Sequence, residues 1–240
     1  MPTIHPSIRF GRLIFFSALL LTNASCKRSH DEAKKIERVE TQLKLPDMSV
    51  EEKKIADKRL EWNMATLYDA YDKVGSHNKK RDRDAHDALK FFAQVRSYGA
   101  NLKGFPELLN AYVSRAIELG CDDPMIKYLH VRFGTDMEKE MSPTEIARAY
   151  AATSDALEQS QYGALKKFYS AMRGINAYLK VEPWLGEGIT YRDRAAQNFC
   201  AALADTRIPI GEIDEAAHEY SSSSIAGVTK ARSIKWMRCS

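Results

Sequence analysis

The chain has 240 residues, 44% of them hydrophobic and 28% charged, and its 36 Lys and Arg against 32 Asp and Glu leave a net charge of +4. This is the composition of a soluble globular protein, enough for one ordinary domain or two small ones. Two of the positive charges, Arg9 and Arg12, fall in a segment expected to be removed, so the mature chain is nearly neutral and offers no electrostatic case for nucleic acid or anionic lipid.

Residues 1–25 read as a signal peptide. Arg9 and Arg12 form a positive n-region, Leu13 to Leu21 an apolar core, and small residues follow at Thr22, Ala24 and Ser25. The apolar run is shorter than the roughly 20 residues that a membrane-spanning helix needs. Thr22 to Cys26 resembles a bacterial lipobox, with Cys26 in the place of the lipid acceptor and Asn23 where a large aliphatic residue is usual. Two outcomes are open: lipidation of Cys26, or ordinary cleavage after Ala24 or Ser25. Residues 26–48 are charged and helix-compatible, with few residues able to pack, and read as a helical tether closed by Pro46.

From 49 to 220 the chain reads as one helical domain. Ser49 and Glu52 have the spacing of a capping box, and Leu60, Met64, Leu67, Tyr71 and Val74 then make a seam at alternating steps of four and three. Ser76 to Arg83 is expected as a solvated loop, and a helix with Ala85, Ala88, Leu89, Phe92 and Val95 on one side follows from Asp84 to Tyr98. Pro106 to Phe133 reads as helix, turn, helix. Leu108, Leu109, Tyr112, Ala116 and Ile117 share one face, Gly120 stops the first helix, Asp122 or Asp123 caps the second, and Pro124 occupies its first position. The next helix begins at the capping-box pair Ser142 and Glu145, and Ile146, Ala149, Tyr150, Thr153, Ala156 and Leu157 form its stripe.

The most regular face runs through Leu165, Phe168, Tyr169, Met172, Ile175, Tyr178 and Leu179, with Lys166 and Lys167 off the stripe. Glu182 to Thr190 breaks the pattern at Pro183, Gly186 and Gly188. Tyr191 to Asp205 resumes it through Ala195, Phe199, Ala202 and Leu203, and a shorter helix is expected over 211–220. Residues 221–240 read as a flexible basic tail.

These paired helices, with Tyr, Leu, Gly and Ala at contact positions, resemble tetratricopeptide-like repeats, with one pair over 84–119 and another over 123–159. Leu185 to Phe199 is similar to part of a Sel1-like unit, where a Gly-x-Gly-Ile turn precedes an Asp and an Ala-rich helix. The resemblance implies an all-α stack of antiparallel helical hairpins with a concave face that binds a protein or peptide. The alternative architecture is an irregular all-α bundle.

No motif announces catalysis, a cofactor or a metal site. His30, His77, His86, His130 and His218 are scattered, with no His-Glu-x-x-His pair, and a half-buried, hydrogen-bonded histidine is expected at His130. Gly186 and Gly188 lack a third glycine and a preceding strand, so they are expected as a turn rather than a phosphate loop. Lys79, Lys80, Arg81 and Arg83 are diluted by Asp82 and Asp84 and carry no interleaved aromatics for stacking. After the signal, Cys121, Cys200 and Cys239 remain. A Cys121–Cys200 disulfide and two buried thiols are both open, and the thiols are expected. The resulting expectation is an exported, non-catalytic scaffold or binding module of the bacterial envelope, periplasmic or held to the membrane only through a lipid on Cys26. The alternative is a glycan-acting envelope enzyme, with Glu187 as acid and Trp184 as sugar platform.

Overall fold

The computed structural model describes residues 46–74, 77–99, 104–134, 137–181, 186–222 and 239. The segment expected as a signal peptide, Cys26, nearly all of the expected tether and most of the expected tail lie outside them. The described chain is all-α, with no strand among the described residues. Its helices are α1 (Val50–Asp72), α2 (Lys79–Tyr98), α3 (Phe105–Glu118), α4 (Pro124–Phe133), the single turn α5 (Met137–Glu140), α6 (Pro143–Glu158), α7 (Ala164–Val181), α8 (Gly186–Ala204) and α9 (Ile210–Ser222). Each long helix from α1 to α8 packs against the next in order, which makes a stack of helical hairpins, and α9 returns onto α7 and α8.

Local chemistry explains the boundaries. Ser49 and Ser142 both form complete capping boxes, with Glu52 and Glu145 respectively. Gly120 ends the α3 segment at φ +85°, a left-handed conformation that costs a residue with a Cβ dearly. Of the two candidate caps, Asp123 is the one used: its side chain accepts from the backbone N–H groups of Met125 and Ile126, with Pro124 at the first helical position. The segment expected as a loop before Asp84 is helical from Lys79. Asn78 caps it by accepting from the N–H groups of Lys80 and Arg81, so the basic run is the first turn of α2.

The buried faces form two clusters. One gathers Leu67, Leu89, Phe92, Leu109, Tyr112, Ile126, Leu129 and others from α1 to α4. The second joins Leu165, Phe168, Met172 and Ile175 of α7 to Ala195, Phe199 and Ala202 of α8 and Ile213 and Ala216 of α9. Phe168 and Met172 are fully buried, as their place in the stripe predicts. Three stripes need correction at their margins. Val74 and Leu203 are exposed: Val74 lies past the last residue of α1, where the helical face has ended, and Leu203 is next to last in α8. In α6 the buried side is Ala147, Ala151, Thr153, Ser154 and Leu157, rolled away from Ile146, Ala149 and Ala156. Lys166, expected off the stripe of α7, is only 5% exposed.

Candidate functional site

Lys166 belongs to a buried polar cluster at the crossing of α1, α2, α7 and α9. Its Nζ donates to Asn63 Oδ1 at 2.6 Å, and Asn63 Nδ2 donates to Glu212 Oε1 at 3.1 Å. Glu212 is fully buried and is held by Arg59 at 2.8 Å and Arg96 at 3.4 Å. The same two guanidiniums reach Glu215, at 2.6 and 3.0 Å, and Arg96 also donates to Tyr169 Oη at 2.7 Å. The Lys166 ammonium lies 5.5 Å from the Trp62 ring and 5.8 Å from the Phe92 ring.

The electrostatics follow from this crowding. Burial, and then the nearby Arg96 charge, push the Lys166 amine down to about 7. Burial alone would raise the Glu212 carboxyl, but Lys166, Arg96 and Arg59 together outweigh it and hold the group below its ordinary value. Burial also raises the Tyr169 phenol, to about 12, against the opposing pull of Arg96. Buried charges are tolerated only when paired and hydrogen-bonded, and this cluster supplies partners from four helices.

Directly above the cluster lies a cleft of about 570 Å³. Phe92, Val95, Phe105, Pro106 and Phe133 give it an apolar floor and wall, while Arg59, Arg96, Arg132, Glu215 and Glu219 supply its charged edge. Phe105 and Phe133 meet edge to face at 5.6 Å. Arg132, half-buried at the end of α4, stands over Phe133 at 5.0 Å and over Phe92 at 5.9 Å, and donates to Tyr128 Oη at 3.4 Å. A concave, mostly apolar surface with a few fixed polar groups is the ordinary form of a ligand site.

The residues singled out in the sequence fall elsewhere. Cys26, His30, Glu182 and Trp184 lie outside the described residues, as does the side chain of Glu187. Gly186 and Gly188 lie in the first turn of α8 rather than in a connecting turn. His86 Nε2 lies 3.1 Å from Asp72 Oδ1, and His77 is an exposed side chain 4.0 Å from Asp82. His130 is half-buried, and burial lowers its pKa, but the hydrogen bond expected for it is missing at Nδ1 among the described residues. No group of His, Cys, Asp or Glu among the described residues is arranged to hold a metal ion.

The cysteines require a correction. Cys200 is not a buried thiol: it forms a disulfide with Cys239, which tethers the end of the chain to α8. Among the described residues Cys121 is the free cysteine, its thiol buried 3.8 Å from Tyr71 Oη, and burial pushes its pKa up. The sequence places Cys239 in a flexible basic tail, and nothing in its spacing marks Cys200 as its partner.

A smaller hollow of about 240 Å³ lies beside Cys121, lined by Tyr71, Arg81, Asp82 and Asp123 among others. Its charged groups are already matched: Arg81 pairs with Asp82 at 2.9 Å, and Asp123 accepts from Tyr162 Oη at 3.0 Å. A third hollow, of about 500 Å³, runs between α6 and the start of α8, where Tyr178 stacks on Tyr191 at 5.7 Å and Asp155 pairs with Arg194 at 2.7 Å. The arginine-edged cleft combines an aromatic floor with Arg132, a cation that has no carboxylate within ion-pair distance among the described residues. Compared with family models, curated proteins and solved structures, the chain matches none of them.

Proposed function

We propose that the chain is an exported, non-catalytic helical scaffold that binds a protein or peptide partner in the cell envelope. The observation that carries this reading is the cleft over α2, α3 and α4, with the half-buried Phe133 in its wall and its charged edge. Aromatic residues and arginine are the side chains enriched where proteins bind one another. Export is supported by the n-region, apolar core and small residues of the first 25 positions, and by the Cys200–Cys239 disulfide, a bond that persists in oxidising compartments. The tetratricopeptide-like and Sel1-like likeness and the lipidation of Cys26 belong to the same proposal.

Two measurements test it. The intact mass of the mature protein should show loss of the chain up to Ala24 or Ser25, with added lipid mass if Cys26 is acylated; retention of residues 1–21 would overturn export. For binding, a photoreactive phenylalanine analogue placed at Phe133 should yield a discrete protein adduct in intact cells. The same analogue at Leu203, an exposed apolar residue of α8, should not. Equal labelling at both positions, or none at Phe133, would rule out the cleft as the binding surface.

A further inference from the structure

If the cleft is a protein-binding surface, its charges state what kind of segment it takes. The carboxylates at its edge are already engaged: Glu215 lies between Arg59 and Arg96, and Glu219 pairs with Arg173 at 3.3 Å. Arg132 differs. Its guanidinium is laid over two phenylalanine rings and spends one N–H on Tyr128, and among the described residues no carboxylate lies within ion-pair distance of it. A guanidinium has five N–H donors in a planar fork that matches a carboxylate, so most of this fork is unused and already oriented. Among the described residues Arg132 is thus the cleft's cation without a carboxylate partner, and the complement it lacks is an anion.

We propose that the cleft receives an acidic segment of a partner protein, with an Asp or Glu side chain forked on Arg132 and a neighbouring bulky apolar side chain set against Phe92, Phe105 and Phe133. This deepens the protein-binding reading and rests on it. The apolar contact supplies affinity, and the forked carboxylate supplies register and a preference over basic or neutral segments.

The test is selection of a random peptide library displayed on phage against the full chain. The selected peptides are then measured by fluorescence anisotropy, at low and high salt, on the wild type and on Arg132→Ala, Arg132→Lys and Phe133→Ala. Selected sequences should combine Asp or Glu with Phe, Leu or Trp. Arg132→Ala should weaken them by about tenfold or more and flatten their salt dependence, the cost of one charge-assisted hydrogen-bonded pair. Arg132→Lys keeps the charge and the stem, so it should recover part of the loss and guards against a folding artefact. Selection of basic or uncharged peptides that still depend on Phe133 would overturn the acidic partner and leave the cleft standing. Acidic peptides indifferent to both Arg132 and Phe133 would place their site elsewhere and overturn the proposal. A selection that enriches nothing would overturn the cleft reading along with it.

Discussion

Lys166 shows how one buried residue makes stability depend on pH. The groups that face it are Asn63, Arg59 and Trp62 from α1, Arg96 and Phe92 from α2, and Glu212 and Glu215 from α9. Its amine titrates at about 7 in the folded chain and at about 10.4 when unfolded. Below about pH 7 both states are protonated and the burial penalty is fully present. Between the two values the unfolded chain binds the extra proton, so stability rises with pH. Urea melts at about pH 6.5 and pH 9.5 should show Lys166→Met lacking a rise of roughly 3 kcal/mol that the wild type displays. An equal slope in both chains would mean that the amine is hydrated in solution. The neighbouring positions set a contrast. Phe168 is fully buried between α6 and α8, so Phe168→Ala should cost about 3–5 kcal/mol. Lys167 is half-buried and donates to the Glu158 carbonyl at 2.8 Å, so Lys167→Ala should cost at most about 1 kcal/mol.

At the scale of the element, the start of α4 depends on Asp123. The carboxylate accepts from the Met125 and Ile126 N–H groups at 2.8 and 3.0 Å, and from Tyr162 Oη at 3.0 Å. Burial raises its pKa in spite of these partners. One side chain therefore caps a helix and satisfies a buried phenol from the connection between α6 and α7. Asp123→Ala removes the cap and strands the Tyr162 hydroxyl, at a combined cost of roughly 2–4 kcal/mol. Asp123→Asn keeps an acceptor for the two amides, so thermal melts should place it well above the alanine variant. If the two melted together, the negative charge rather than the hydrogen bonds would be holding the turn. This helix also ends at Arg132 and Phe133, so the cap at its start fixes the rim of the cleft at its end.

For the molecule as a whole, α9 is the element whose place is decided from a distance. It brings Glu212 and Glu215 to the cations of α1 and α2 and packs Ile213 and Ala216 on α7 and α8. It also lies within the loop closed by the Cys200–Cys239 disulfide, 39 positions apart in sequence. Closing a loop of that size restrains the unfolded chain by about 4 kcal/mol in the chain-entropy account. Reduction should lower the melting temperature, and hydrogen exchange should show α9 losing protection before α7 and α8 do. Cys200→Ser should reproduce the effect of reduction and Cys121→Ser should not; protection of α9 unchanged on reduction would mean that the charge cluster alone secures it.

The sequence by itself determined the helical class, several of the caps and most buried faces, because these depend on neighbours three and four residues apart. Ser142 with Glu145, Gly120 before Asp123, and the Leu165 to Ile175 stripe all state their role within one or two turns. The tertiary structure decided which polar residues go inside. Asn63 lies three residues after Leu60 and four before Leu67, and Glu212 lies four before Ala216, so both occupy core-facing spacings. A polar residue at such a spacing was a legible sign of burial, but its partners sit more than a hundred residues away, in helices whose adjacency no local pattern encodes. The same holds for Cys200 with Cys239, and for the cleft, where Phe92, Phe105, Phe133 and Arg132 converge from three helices. Helix formation is a short-range property of the chain. The pairing of buried charges and the shape of a cleft arise only when the faces of different helices are brought into contact.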